Sequence, residues 1–169
     1  MPARTMQKVC GVACSLAYAK TASEAARTRA EKKAHREAKE KVKTKGEHAK
    51  EAQAAFNAFI RKRDEFLPCV SCGRYHQGQY HAGHYRSVGA CPELRFEPLN
   101  VHKQCAPCNN HKSGNVIEYR IELVRRIGLD AVEWLEGEHK PRRYTIDDLK
   151  AIKAEYRQKL RELDRQRQP

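Results

Sequence analysis

Apolar residues recur at helical spacing in four separate stretches, and between the first and second of them the pattern gives way to cysteines and histidines. Ala49, Ala52, Phe56, Phe59 and Ile60 fall on one helical face, with Gly46 expected to interrupt the chain before them and Pro68 to close it. Val116, Ile117, Ile121, Leu123, Val124 and Ile127 make a second stripe, broken by Gly128. A short third helix is predicted over Leu129–Leu135, carrying the single tryptophan, Trp134, and 137–144 reads as a loop around Pro141. Thr145 followed by Asp148 resembles a capping box, behind which Ile146, Leu149, Ile152, Tyr156, Leu160 and Leu163 line a final helix. Its outer face carries Lys150, Lys153, Arg157, Lys159 and Arg161, a charge run to be read first as a solvated face and second as a binding surface. In the intervening segment, residues 79–86 (QYHAGHYR) predict one strand and 95–101 the returning one. Residues 108–115 (CNNHKSGN) then open a helix.

Upstream the pattern is poorer. From Lys20 to Arg63 the chain has fourteen Lys or Arg against six Asp or Glu. Residues 20–45 show only an alanine stripe (Ala22, Ala26, Ala30, Ala34, Ala38), so a solvated, fraying helix that orders against phosphates is expected. Residues 1–19 hold Cys10 and Cys14, which read as half of a zinc knuckle or as two plain thiols, because two cysteines leave a zinc ion undercoordinated. The expected organisation is a partial-knuckle or disordered segment (1–19), a basic helical extension (20–47), a metal module with flanking helices (48–128) and a helical C-terminal region (129–169).

Composition changes the picture in two ways. With 40% hydrophobic and 7% aromatic residues in 169, one large core is not expected, and a small module of this kind usually needs a metal or disulfides to fold. The net charge of +13 and pI of 9.6 point to a polyanion, nucleic acid first. The apolar run VCGVACSLAYA is too short for a membrane span and is followed by charge. A reducing, cytoplasmic setting without a membrane is therefore expected.

The chemistry sits between Cys69 and Asn115. Cys69 and Cys72 form one C-x-x-C, Cys105 and Cys108 another, with 32 residues between the pairs. Two such turns close a four-sulfur tetrahedral shell, which leaves no open position for substrate, so a structural Zn²⁺ is expected over a redox disulfide. Cys91 lies outside both pairs and reads as a buried or loop thiol. Two strands and a helix pinned at both ends by that ion would bring His81, His84, Asn109 and His111 together. A neutral imidazole takes a proton from water near neutral pH, and a hard cation on imidazole, amide oxygen and water stabilises charge on a phosphodiester. That combination suits phosphodiester hydrolysis with Mg²⁺ or Mn²⁺. His111 is the least anchored of the four, with an exposed position as its alternative, and His102 is weaker still. Arg86, Lys103 and Lys112 are candidates to meet phosphate.

The order C-x-x-C, histidine-ended strand, then L-N-x-x-x-x-C-x-x-C-N resembles the HNH, or His-Me finger, nucleases. More narrowly, AGHYRS, LRFEPLNVHKQC, CNNHKSGN and the following EYRIELVRRIG are similar to the phage NinG family, also called Rap, over about residues 48–165. The resemblance implies an α+β, mostly helical fold: a zinc-stabilised ββα-metal (HNH-like) module flanked by basic helices. It implies a metal-dependent endonuclease acting on branched recombination intermediates, Holliday junctions and D-loops, in phage or prophage recombination. His84 would be the general base, Asn100 would hold the loop that orients it, and Asn109 would be a metal ligand. His81 stands where related sequences carry an aspartate; it ligates without adding negative charge, which favours a softer ion such as Mn²⁺ or Zn²⁺. Symmetric cutting of a junction implies a homodimer, with recombination proteins as further partners. The alternatives are a non-catalytic zinc-binding DNA module and an HNH nuclease of linear duplex.

Overall fold

The computed structural model describes residues 9–167. It is mostly helical with one two-stranded antiparallel sheet, an α+β fold. Two compact units divide between Thr44 and Lys45. The first is a single helix, α1 (Val12–Lys41), with no buried residue. It starts well before Lys20, inside the segment expected to be a partial knuckle or disordered, of which residues 1–8 lie outside the described residues. Alanine and long charged side chains are sufficient to hold a helix that has nothing to bury. Cys10 and Cys14 are exposed with their sulfurs 3.0 Å apart, and among the described residues no third ligand group joins them.

The second unit opens with α2 (Lys45–Arg63). Gly46 does not interrupt the chain; it lies in the first turn of α2, and the break falls at residues 42–44. The predicted apolar stripe is the one that packs: Ala52, Phe56 and Ile60 are fully buried, with Ala49 and Phe59 at the margin. Phe56 meets Phe96 and Tyr156 edge-on at centroid distances of 5.8 and 4.7 Å. Burying a phenylalanine side chain contributes about 1.5–3 kcal/mol. α2 ends five residues before Pro68, at Arg63. There the guanidinium donates to the carbonyls of Pro98 (3.0 Å) and Val101 (2.8 Å), and pairs with the buried Asp64 carboxylate at 2.6 Å.

The sheet pairs β1 (Tyr80–His84) with β2 (Val101–Cys105) in the register Tyr80↔Cys105 through His84↔Val101. The return strand is therefore not 95–101, as expected. Pro92 and Pro98 instead start two short 3-10 turns, Pro92–Leu94 and Pro98–Asn100, because proline sets φ for such turns and offers no ladder donor. β2 reads as polar yet all five of its residues are buried. Internal partners offset most of that burial: Lys103 N–H donates to Asp64, Lys103 Nζ to the Glu65 carbonyl (2.8 Å), Gln104 Nε2 to Ser71 Oγ (2.6 Å), while Gln104 Oε1 is buried without one. Gly83 is required opposite, since a Cβ there would lie 2.1 Å from Gln104 Oε1.

After β2 comes one π-helical turn, Pro107–His111, rather than the start of a long helix. Ser113, Gly114 and Asn115 then take positive φ (49°, 85° and 47°), and only after this left-handed stretch does α3 (Val116–Ile127) begin. Gly128 (φ 85°) separates it from α4 (Leu129–Glu136), and the predicted capping box between Thr145 and Asp148 starts α5 (Ile146–Gln166). α5 closes the core on α2 through Leu149 and Tyr156. Tyr119, Leu123, Val132 and Leu135 of α3 and α4 form a second core with Val70, Tyr85, Cys91 and Leu94. The hairpin thus contributes to both cores, Val101 to the first and the residue after β1, Tyr85, to the second. Arg120 of α3 forks onto Glu136 at 2.7 and 3.0 Å, and Glu136 also accepts the Tyr85 hydroxyl, which fixes the chain immediately after His84. No helix among the described residues is long and apolar enough to cross a membrane.

Candidate functional site

The hairpin carries two different sites. At the Tyr80–Cys105 end, the sulfurs of Cys69, Cys72, Cys105 and Cys108 all lie within 4.8 Å of one another. Gly73, at φ 67°, turns the first pair, with its N–H on the Cys69 carbonyl at 2.9 Å. The π turn supplies Cys108. A tetrahedral ion with bonds of about 2.3 Å to sulfur needs sulfurs roughly 3.8 Å apart. Cys72 and Cys105 are at 3.9 Å, far beyond the ~2.05 Å of a disulfide. Burial pushes the Cys105 and Cys108 thiols above their ordinary range. Burial acts upward on Cys69 as well, but backbone N–H groups, Cys105 N–H at 3.3 Å among them, hold it below that range. Four sulfurs packed this closely can hold a structural metal ion, whose positive charge offsets the cost of ionising them. His76 Nε2 lies 3.2 Å from the Cys72 sulfur, a partner the C-x-x-C spacing alone does not disclose.

Along β1, from His81 to His84, runs a cleft of about 390 Å³. His81, His84 and Asn109 all line it, so three of the four side chains expected to converge do so. His111 does not: it is exposed on the π turn and is not part of the lining. His84 is half-buried, and burial lowers its imidazole pKa, keeping the ring neutral. Its Nε2 is 3.0 Å from the carbonyl oxygen of Arg95; a carbonyl only accepts, so Nε2 carries the proton and Nδ1 keeps its lone pair. His81 Nε2 is buried with no hydrogen-bond partner. A neutral polar atom left without a partner there costs about 1–3 kcal/mol, which a bound cation would offset. Asn109 donates from Nδ2 to Asn110 Oδ1 at 2.8 Å, leaving its own amide oxygen to accept.

Asn100 touches none of this directly. It is fully buried and saturated: Oδ1 accepts from Arg86 N–H (2.7 Å), and Nδ2 donates to the carbonyls of Arg86 (2.9 Å) and Leu94 (3.1 Å). It ties the chain leaving β1 to the turn that carries Arg95, and so holds the carbonyl on which the His84 ring rests. Asn100 is a positioning residue. Tyr119 adds to the same restraint by donating to the Gly83 carbonyl at 2.9 Å.

The expected phosphate contacts fare differently. Lys103 is 6% exposed, its ammonium on the Glu65 carbonyl and over the Tyr80 ring at 4.5 Å, so it is not available to phosphate. β2 faces protein on all sides, which the isolated basic residue does not reveal. Arg86 turns inward, to the Cys91 sulfur (3.2 Å) and the Glu136 carbonyl (3.4 Å). Lys112 is exposed but lines the cavity beside the cysteine cluster, not the histidine cleft. In their place the cleft has Gln53, Asn57 and Arg61 from α2, and Arg95. Their signal was the four-residue spacing of 53, 57 and 61 along the edge of the buried stripe.

The register sets His84 four residues from the Tyr80–Cys105 pair, about 13 Å at ~3.3 Å per residue, but His81 follows Tyr80 and Asn109 follows Cys108, so the cleft begins beside the cysteine cluster. An ion with a complete four-sulfur shell has no open position for a group bound in the cleft. The molecule is thus a mostly helical α+β protein whose one hairpin carries a four-cysteine cluster and, beside it, a histidine–amide cleft. The model of a family described as "Bacteriophage Lambda NinG protein" matches residues 1–166, and the chain belongs to the NinG family. It is 57% identical over 114 residues to "Protein ninG" of Escherichia phage lambda, 68% of this chain and 56% of the relative. It is 56% identical over 114 residues to that of Salmonella phage P22, with 68% and 56% covered, and 54% identical to that of Escherichia phage 933W, with 68% and 57% covered. The chain spans little more than half the length of these curated relatives. No solved structure matches it.

Proposed function

We propose that this protein is a metal-dependent endonuclease of the HNH type, cutting branched DNA such as Holliday junctions and D-loops during phage or prophage recombination. The observation that carries the reading is the convergence of His81, His84 and Asn109 on one cleft, with His81 Nε2 buried and unpaired. The four-cysteine cluster would hold Zn²⁺ and fix the hairpin as the ββα-metal module does; the tetrahedral spacing of its sulfurs supports this.

In the cleft, His81 through Nε2 and Asn109 through its amide oxygen would hold Mg²⁺ or Mn²⁺. When bound, such an ion supplies charge stabilisation to the scissile phosphate and its leaving oxygen. The chain's own work is proton transfer and orientation. Nδ1 of His84 accepts a proton from the attacking water while Nε2–H stays on the Arg95 carbonyl. The neutral ring that burial favours is the form this role needs. Asn100 keeps that carbonyl in place. The basic surplus would grip the DNA backbone without reading sequence, so binding should weaken steeply with salt. A homodimer would present two clefts to opposing strands of a junction.

The test is incubation with a synthetic four-way junction and Mg²⁺ or Mn²⁺, with linear duplex as competitor. The reading requires junction cleavage by the wild type and none by His84→Ala; equal activity of the two sinks it. One feature favours a non-catalytic DNA-binding module instead: no Asp or Glu is among the residues that line the cleft. That reading predicts tight junction binding with no metal-dependent cut.

A further inference from the structure

The last turn of α2 contains three cations, Arg61, Lys62 and Arg63, and two of them have carboxylate partners. Lys62 pairs with Glu65 at 3.0 Å and Asp164 at 3.4 Å, and Arg63 with Asp64 at 2.6 Å. Arg61 is exposed and, among the described residues, has neither an ion pair nor a side-chain hydrogen bond, yet it lines the same cleft as His84. Below it on the same helical edge are Asn57 and Gln53, one turn apart. These two are committed: Gln53 donates from Nε2 to Asn57 Oδ1 at 2.8 Å and accepts the Arg95 Nε–H at 2.8 Å. Arg95, further held over the Phe96 ring at 5.5 Å, is the residue whose carbonyl carries the His84 ring.

The wall of α2 is therefore built in two parts. Gln53 and Asn57 fasten the turn that orients the base, and Arg61 leaves one guanidinium unspent at the mouth of a cleft that holds no carboxylate. A guanidinium in that setting favours an anion with paired oxygens, and a phosphodiester presents them in the matching geometry.

We propose that Arg61, from the α2 wall, binds the non-bridging oxygens of the phosphodiester presented to His84. This rests on the endonuclease reading and adds to it the group that seats the reacting phosphate, a role that Arg86 and Lys103 are turned away from filling. The contact is to backbone phosphate alone, so it carries no base preference.

The full chain is titrated with a labelled four-way junction without added divalent ions, so that no cut occurs, and without a chelator, so that the cysteine cluster keeps its metal, across a range of salt. Arg61→Ala weakens binding several-fold to about tenfold and lowers the slope of log K against log salt by about 1, the loss of one phosphate contact. Arg61→Lys restores the slope because it keeps the charge, but loses the fork. With Mg²⁺ or Mn²⁺ and DNA in saturating excess over its dissociation constant, the single-turnover rate of Arg61→Ala falls at least tenfold. The thermal midpoint is unchanged, since Arg61 has no partner to lose. Unaltered binding in Arg61→Ala overturns the proposal. Weaker binding with an unchanged saturated rate overturns it too, because Arg61 then meets a flanking phosphate. A wild type that binds the junction but never cuts it defeats the endonuclease reading instead, and one that does not bind DNA defeats both.

Discussion

Asn100→Asp isolates what the buried amide does, because it changes one NH₂ to oxygen and leaves the volume alone. In the wild type that NH₂ donates to the carbonyls of Arg86 and Leu94 at 2.9 and 3.1 Å, inside a site with no solvent exposure. An ionised aspartate keeps the bond from Arg86 N–H but sets an oxygen against two carbonyl oxygens. Two hydrogen bonds at about 1 kcal/mol each are lost, and the buried acceptors and charge raise the deficit to roughly 3 kcal/mol or more. A protonated aspartate instead donates to one carbonyl and recovers about half of that loss. Folding therefore raises this carboxyl's pKa above its unfolded value near ~3.9. The sign follows: between the two values the native state holds the proton that the unfolded chain has released. The deficit is smallest below about pH 4 and grows with rising pH, by at most ~1.4 kcal/mol per unit, until the folded pKa is passed. Urea unfolding of wild type and variant in parallel, at about pH 4 and about pH 8, measures the difference and cancels any acid loosening of the cysteine cluster common to both. A deficit below ~0.5 kcal/mol, or one equal at both pH values, would refute the account of Asn100 as a double donor that fixes the Arg95 turn.

Three further outcomes are expected. Gly83→Ala drives a methyl to 2.1 Å from Gln104 Oε1 and 3.0 Å from its Cβ, displacing a side chain whose amide is bonded to Ser71 and Gly114. About 2–4 kcal/mol should be lost, and Gln104→Ala in the same chain should return part of it, read as thermal midpoints of the single and double variants. Metal analysis should find one tightly held zinc per chain. Its chelation should abolish cooperative unfolding of the hairpin region, since a structural zinc contributes on the order of 10 kcal/mol and a domain's whole stability is of similar size; an unchanged denaturation midpoint after stripping argues against the cage. Because burial lowers the His84 pKa, the acid limb of the cleavage-rate profile should fall below the ordinary histidine range near ~6.5. A limb above that range would place the base elsewhere.

The parts of this fold that were legible in the sequence are those where burial follows a simple period. α2, α4 and α5 each bury an apolar stripe, α3 buries Leu123 with Tyr119 while Val116, Ile117 and Ile121 of its expected stripe are exposed, and the Thr145–Asp148 box and Gly128 mark ends by local chemistry that needs no tertiary information. β2 was illegible for the opposite reason. His102, Lys103 and Gln104 look like a solvated edge, and only the folded chain brings Tyr119, Glu65 and Ser71 to meet them. The strand is therefore expected four to six residues too early, in a segment whose prolines make turns. The site divides along the same line. The C-x-x-C pairs and the histidines three apart announce themselves by spacing, and so the cysteine cluster and the His81–His84–Asn109 grouping were expected. Gln53, Asn57 and Arg61 lie some twenty to thirty residues upstream of His81 in an ordinary basic helix, and their role appears only when that helix packs beside the hairpin.

α1 carries an implication of a different sort. At 30 residues it is about 45 Å long, and none of its side chains is buried. Its backbone ladder and surface pairs such as Arg27–Glu31 and Lys33–Glu37 maintain it, the latter contributing ~0.3–0.5 kcal/mol each. Heating should unwind it gradually from the ends, without the sharp transition of a packed core. For the same reason almost any exchange that preserves alanine content and alternating charge costs tenths of a kcal/mol. This arm is free to diverge among related phages far faster than the hairpin, where a single methyl at Gly83 has nowhere to go.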